Sequence, residues 1–259
     1  MKIRSYGPEG FNGMRAAGKL AAEVLDYITD YVKEGVTTNY LNDLCHKFIV
    51  DHGAIPAPLN YKGFPKSICT SLNHVVCHGI PSDRVLINGD ILNIDVTVIL
   101  DGWHGDTSRM FYVGSPSVKA KRLVEATYEA MLLGIEQVSP GARFGDIGYA
   151  IQSYIEKQKF SVVRDFVGHG IGRRFHEAPN VFHFGQKGTG PIMEEGMFFT
   201  IEPMINAGSY ETIVSKVDGW TAMTKDRSLS AQFEHTVAVT SAGYEIFTLS
   251  PKGLHAPVL

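Results

Sequence analysis

A chain of 259 residues with 44% hydrophobic and 20% charged residues and a net charge of −3 has the makeup of an ordinary globular protein able to bury a sizeable core. Its Lys and Arg residues are scattered, which argues against a nucleic-acid surface, and no apolar run is long enough to span a bilayer. Cys45, Cys69 and Cys77 are too few for a disulfide framework and MKIRSYGPEGFNGM lacks the apolar core of a signal peptide, so a cytoplasmic setting is expected.

In chain order, MRAAGKLAAEVLDYI puts Met14, Ala17, Leu20, Ala21, Val24, Leu25 and Ile28 on one helical face, and a second helix follows with Leu41, Leu44, Cys45, Phe48 and Ile49. The apolar run GDILNIDVTVIL reads as a strand. Asp101-Gly102 then closes a two-residue hairpin, in which Leu100 faces Trp103, Thr97 faces Asp106 and Asp95 faces Ser108. Side chains alternate along a strand, so Asp95 and Asp106 share a face as diagonal neighbours. Next come a third helix, KAKRLVEATYEAML, with KAKR on its solvated side, and a fourth with Ile147, Ala150, Ile151, Tyr154 and Ile155. Both helices repeat the first pair about 106 residues later, and Gly141 answers Gly35. GMFFTIE then answers GDILNID at an offset of 107. The expected architecture is one α+β domain over 1–259 with internal pseudo-two-fold symmetry, its halves spanning about 11–113 and 117–249.

Acidic residues in apolar strands need an explanation. Asp95 lies within NIDVTVIL, Glu202 within MFFTIEPMI and Glu234 within SAQFEHTVAV, and buried carboxylates repel one another and lose hydration. Arg109, a shared proton or a metal could compensate Asp95 and Asp106; a surface hairpin with a local Asp-Arg pair is the plainer reading. Four acids, Asp95, Asp106, Glu202 and Glu234, match two divalent ions, whereas one Arg would leave three charges uncompensated. VGHGIGRRFHEAP adds His169 and His176. An oxygen-rich set with an imidazole suits Mn, Fe or Co better than a thiolate-bound structural zinc, and paired ions form a hydrolytic centre. His46, His52, His74, His104, His183 and His255 read as ordinary core or surface residues.

The ordered set NIDVT, GDTSRMF, GHGIGRRFHEAP, FFTIEPMI and QFEHT resembles the bacterial type I methionine aminopeptidases, which have the pita-bread (creatinase/aminopeptidase) fold, from about Phe11 to Leu249. The resemblance implies two divalent ions (cobalt, manganese, iron or zinc) on Asp95, Asp106, His169, Glu202 and Glu234, with Asp106 and Glu234 bridging them. It implies catalytic roles for His78, His176 and Glu202, with Glu202 as general base, and a methionine pocket of Tyr61, Cys69, Phe175 and Trp220. Phe64 stands where relatives often carry Tyr. The implied substrates are nascent polypeptides beginning with methionine followed by a small residue, the ribosome is a candidate partner, and a monomer is expected. The rival readings are an Xaa-Pro aminopeptidase of the same fold and a non-catalytic pita-bread binding protein.

Overall fold

The computed structural model describes residues 3–256, and in it four helices form where the apolar periodicity puts them: α1 (Pro8–Ile28), α2 (Thr38–Asp51), α3 (Val118–Ile135) and α4 (Phe144–Lys157). Each starts on a local device. Pro8 opens α1, where a missing N–H costs nothing. Thr37 and Ser117 accept the N–H groups of Tyr40 and Ala120 at the heads of α2 and α3, and Asp146 in the first turn of α4 accepts that of Arg143. Gly35 and Gly141 precede α2 and α4 with φ of 86° and 87°, a conformation only glycine takes without strain.

The hairpin closes in the expected register, with Leu100 opposite Trp103, Thr97 opposite Asp106 and Asp95 opposite Ser108. Strand Ile91–Leu100 also pairs with Cys69–Leu72 on its other side and with Ile55–Pro56. The second half builds a five-stranded antiparallel sheet in the order Gly243–Ile246, His235–Thr240, Phe198–Ile201, Gly168–Gly170, Glu177–Val181. Two three-stranded sheets complete the strands, one of them joining Val75–Cys77 to Ala222–Thr224. The equivalent strands Ile91–Leu100 and Phe198–Ile201 both follow a left-handed glycine, Gly89 at φ 96° and Gly196 at φ 85°.

Alternation along the strands separates two faces. Leu92, Ile94, Val96 and Val98 pack with Val24, Leu25, Ile28, Leu41 and Ile49 of α1 and α2. Phe199, Ile201, Val237 and Val239 pack with Leu123, Met131, Ile147 and Ile151 of α3 and α4. Each such side chain contributes roughly 1.5–3 kcal/mol by leaving water, which offsets the cost of polar groups on the opposite face. That face carries Asn93, Asp95, Thr97, Asp106 and Ser108. α1 lies very close to the hairpin: a Cβ at Gly105 would run into the Ala17 backbone.

Arg109 is resolved by the same alternation. It is turned to the helix side, opposite to Ser108, where it donates to Asp26 of α1 at 2.9 Å with both residues buried. The Ser250 hydroxyl and the Lys252 N–H complete the Asp26 carboxylate. Arg109 therefore does not compensate Asp95 and Asp106, and the plainer reading of a local Asp-Arg pair falls. None of the described helices is long and apolar enough to cross a membrane.

Candidate active site

All twelve residues singled out from the sequence line one cavity of about 360 Å³. Asp95, Asp106, His169, Glu202 and Glu234 form its floor, and Tyr61, Phe64, Cys69, Phe175 and Trp220 its apolar walls, with His78 and His176 beside them. The two glutamates lie differently from expectation. Both occupy breaks rather than strand interiors: Glu202 follows Phe198–Ile201, and Glu234 falls between Ser230–Gln232 and His235–Thr240. The flanking pairs, Ile201 with His235 and Met204 with Gln232, keep a single register in which Glu202 would stand opposite Glu234. Like charges directly opposite are unfavourable in a ladder, and this rung is open. The Glu202 N–H donates instead to His183 Nε2 at 3.0 Å, and Glu234 bonds the Ser108 backbone of the other half.

The acids face one another across the floor of the cavity. Asp106, His169 and Glu234 each offer a donor atom, all within 4.8 Å of one another. His169 Nε2 stands 3.6 Å from Asp106 Oδ2 and 3.7 Å from Glu202 Oε1, beyond hydrogen-bond length. Burial raises the Asp95 carboxyl to about 7 and that of Glu202 to about 8. Asp106 and Glu234 are pushed up by burial first and then by their acidic neighbours. Burial lowers His169 to about 4, which keeps its imidazole neutral, and the Nδ1 contact with Gly170 O at 3.1 Å leaves Nε2 for the acids. A neutral imidazole among hard oxygen donors, in a cluster that gains from added positive charge, fits divalent cations.

Supporting groups hold these side chains. Thr97 Oγ1 donates to Asp106 Oδ1 at 2.7 Å, Thr200 Oγ1 to Glu202 Oε1 at 2.8 Å, and Gln232 Nε2 to Glu202 Oε2 at 3.2 Å. Sequence reading passed over all three, and over His183, which it took for an ordinary histidine. Thr97 was available in principle, since the hairpin register sets it opposite Asp106. Thr200 lies two residues before Glu202 and so on the same strand face. Nothing local marks Gln232 or His183.

The walls explain the cavity's chemistry. Cys69 pairs with Asp95 across the ladder, and burial pushes its thiol well up, so it serves as an uncharged, polarisable surface. Phe64 meets Trp220 edge to face with centroids 5.3 Å apart. Tyr61 and His176 stack at 5.2 Å, and the Tyr61 hydroxyl contacts His176 Nδ1 at 3.0 Å, which leaves Nε2 free to face a substrate. Loss of hydration lowers the His176 pKa, with further contributions from His169 and Lys62. His78 itself takes a left-handed conformation, φ 56°, an uncommon one for a residue with a side chain. Its ring sits edge-on to Phe166 and Trp220. His104, another histidine read as ordinary, stacks on Phe175 at 5.7 Å and contacts Gly172 O. Tyr6 and Arg4 bond the two oxygens of Glu177, next to His176.

Comparison with known proteins places this arrangement. The model of metallopeptidase family M24 matches residues 12–241. The methionine aminopeptidase of Rickettsia prowazekii is 69% identical over 257 residues, covering 99% of each chain. Its crystal structure superimposes with a TM-score of 0.95 over 96% of this chain and all of that one. The methionine aminopeptidase of Escherichia coli (strain K12) is 54% identical over 96% of this chain and 95% of its own. A prolidase from Pyrococcus furiosus shares the fold, with a TM-score of 0.74 at 20% identity, but this chain covers only 65% of it.

Proposed function

Because this chain belongs to metallopeptidase family M24, we propose that its removal of N-terminal methionine proceeds at two divalent ions held by Asp95, Asp106, His169, Glu202 and Glu234, on polypeptides whose second residue is small. Methionine removal follows from the full-length match to methionine aminopeptidases. An Xaa-Pro activity is not favoured, because the prolidase likeness extends to the fold alone and those chains are longer. The observation that carries the metal reading is the convergence of four carboxylates, Asp106 and Glu234 buried and Asp95 and Glu202 partly so, with a neutral imidazole on the floor of one cavity.

Ions held there would supply Lewis acidity toward a water and the first peptide carbonyl. The remaining chemistry belongs to the side chains. Glu202, steadied by Thr200 and Gln232 on its two oxygens, receives a proton from the attacking water and delivers it to the leaving nitrogen. His176, fixed through Nδ1 by Tyr61, offers Nε2 to the carbonyl oxygen as negative charge develops. His78 hydrogen-bonds near the scissile nitrogen. The methionine side chain lies against Tyr61, Phe64, Cys69, Phe175 and Trp220, where thioether contacts with aromatic rings are worth about 0.3–1.5 kcal/mol each. Phe64 in place of a Tyr offers no hydroxyl, so this rim of the pocket is read as purely apolar. His78, Phe166 and Trp220 crowd the next subsite, which limits the second residue to Gly, Ala or Ser.

All twelve residues this reading assigns to the site belong to the one chain, so its working unit is read as a monomer. The three cysteines are unpaired and buried, in keeping with work on nascent chains in the cytoplasm. The test is chelation, remetallation and assay on Met-Ala-Ser, Met-Lys-Ser and Ala-Pro-Ser. Two ions per chain and methionine release from Met-Ala-Ser alone are expected. Hydrolysis of Ala-Pro-Ser, equal rates on the two Met peptides, or full activity with one ion would each overturn part of the reading.

A further inference from the structure

The catalytic cavity does not end at its histidines. Val167, His169 and His176 also line a second, more open groove of about 620 Å³, whose other walls are Ile3, Glu177, Ala178, Pro179, Asn180, Phe182 and Pro191. The floor of this groove is the strand Glu177–Val181, which begins one residue after His176 and leads away from it. Its charge is already matched: Glu177, the acid among the lining residues, is held by Tyr6 at 2.8 Å and Arg4 at 3.2 Å. Apart from the two histidines and the exposed Asn180, the rest of the lining is apolar. Phe182 is 46% exposed and Ile192, next to Pro191, 45% exposed, although each is large enough to be expected in a core.

Resting on the reading of the site given above, we propose that this groove seats the third to fifth residues of the polypeptide substrate and that Phe182 makes it favour apolar side chains there. The residues shared by the two cavities point to the occupant. A substrate whose first carbonyl lies beside His176 has to leave the catalytic cavity, and the groove shares that histidine. Reach agrees with this. An extended chain advances about 3.3 Å per residue, so the third to fifth residues lie about 5 to 12 Å beyond the scissile bond, within the roughly 13 Å of the five-residue strand that forms the floor. The Phe182 end of the groove would act mainly on KM, because it carries none of the residues assigned to the chemistry and would bind substrate and transition state alike.

The test compares the metal-loaded enzyme on two C-terminally amidated pentapeptides, Met-Ala-Leu-Val-Leu and Met-Ala-Asn-Asn-Asn, in the wild type and in Phe182→Ser and Phe182→Leu. The apolar peptide is expected to have the higher kcat/KM by about tenfold, the scale of covering one or two apolar side chains, chiefly through KM. Phe182→Ser should shrink that ratio to about twofold and Phe182→Leu should keep most of it. Circular dichroism verifies the fold of each variant. A wild-type ratio near one, or a ratio untouched by Phe182→Ser, overturns the groove while methionine removal stands. Absence of methionine release from both peptides overturns the groove and the reading of the site together.

Discussion

Ser108 and Glu234 pair backbone to backbone between the two halves, Glu234 N–H to Ser108 O at 3.2 Å and Ser108 N–H to Glu234 O at 3.4 Å. They are equivalent positions. Ser108 stands opposite Asp95 in the first half, and Glu234 falls opposite Glu202, the counterpart of Asp95, in the register of the second. An antiparallel bridge between equivalent residues is what a two-fold axis through the middle of the molecule produces, and it draws the acids of both halves together. The symmetry breaks in the chemistry: where the first half has Asp106 opposite Thr97, the second has Gln232 opposite Met204.

Asp106 and Glu234 therefore come from different rungs of the two halves yet meet at His169. Asp106→Ala and Glu234→Ala are each expected to lose bound metal and at least 10³-fold in kcat/KM while remaining folded, since removing a buried acid also removes repulsion. Metal analysis beside kinetics checks this. Retention of two ions with full activity would remove these residues from the proposed site.

His78 and His169 should separate binding from chemistry. His78 contacts aromatic rings, whereas His169 Nε2 faces two acids. His78→Ala is expected to keep its metal and lose roughly 10²-fold in kcat, the scale of a positioned hydrogen-bonding group. His169→Ala should lose metal affinity first. Calorimetric titration of the two variants decides it, and metal loss in His78→Ala would contradict the assignment.

The metal-free chain should lose stability as pH rises through neutrality. Burial holds Asp95 and Glu202 at about 7 and 8 in the fold, above their unfolded values. A raised folded pKa means that the native state keeps the proton; the stabilisation is complete below the unfolded pKa of about 4 and is lost as pH passes the folded value. His169 and His183, lowered by burial to about 4 and 3, act in the opposite sense, but only below their ordinary value near 6.5. The window from about pH 6.5 to 8 thus isolates the acids. Tm of chelated protein should fall across it, and the fall should flatten in Asp95→Asn with Glu202→Gln. A flat wild-type profile would count against the raised carboxyls.

Asp26 and Arg109 tie α1 and the C-terminal segment to the hairpin behind the site. Arg109→Met strands a buried carboxylate and is expected to cost about 3–5 kcal/mol, most of it recovered when Asp26→Leu is added, because the pair itself contributes little net stability. Urea unfolding of the single and double variants measures this. A cost below about 1 kcal/mol for Arg109→Met would show that the pair is better hydrated than its burial implies.

Sequence alone carried the local chemistry a long way. The period of apolar residues placed all four helices, Asp101-Gly102 set the hairpin register, and that register put Asp95 and Asp106 on one face. The repeat at an offset of 107 then called up Glu202 as the counterpart of Asp95. These features are legible because each rests on neighbours a few residues apart or on a pattern that survives in both halves. The proposed methionine pocket came from resemblance, since aromatic residues scattered from Tyr61 to Trp220 share no period.

Tertiary structure decided which groups satisfy the buried ones. Arg109 lies near the acids in sequence, but strand alternation turns it to Asp26, 83 residues away. Glu202 and Glu234 read as strand interior, yet the rung between them opens and their backbones bond His183 and Ser108 instead. His183 looked like any other histidine. The physical reason is common to all three: a buried polar group must find a partner, and which partner is near depends on how distant segments are packed, a relation that no local pattern of residues encodes.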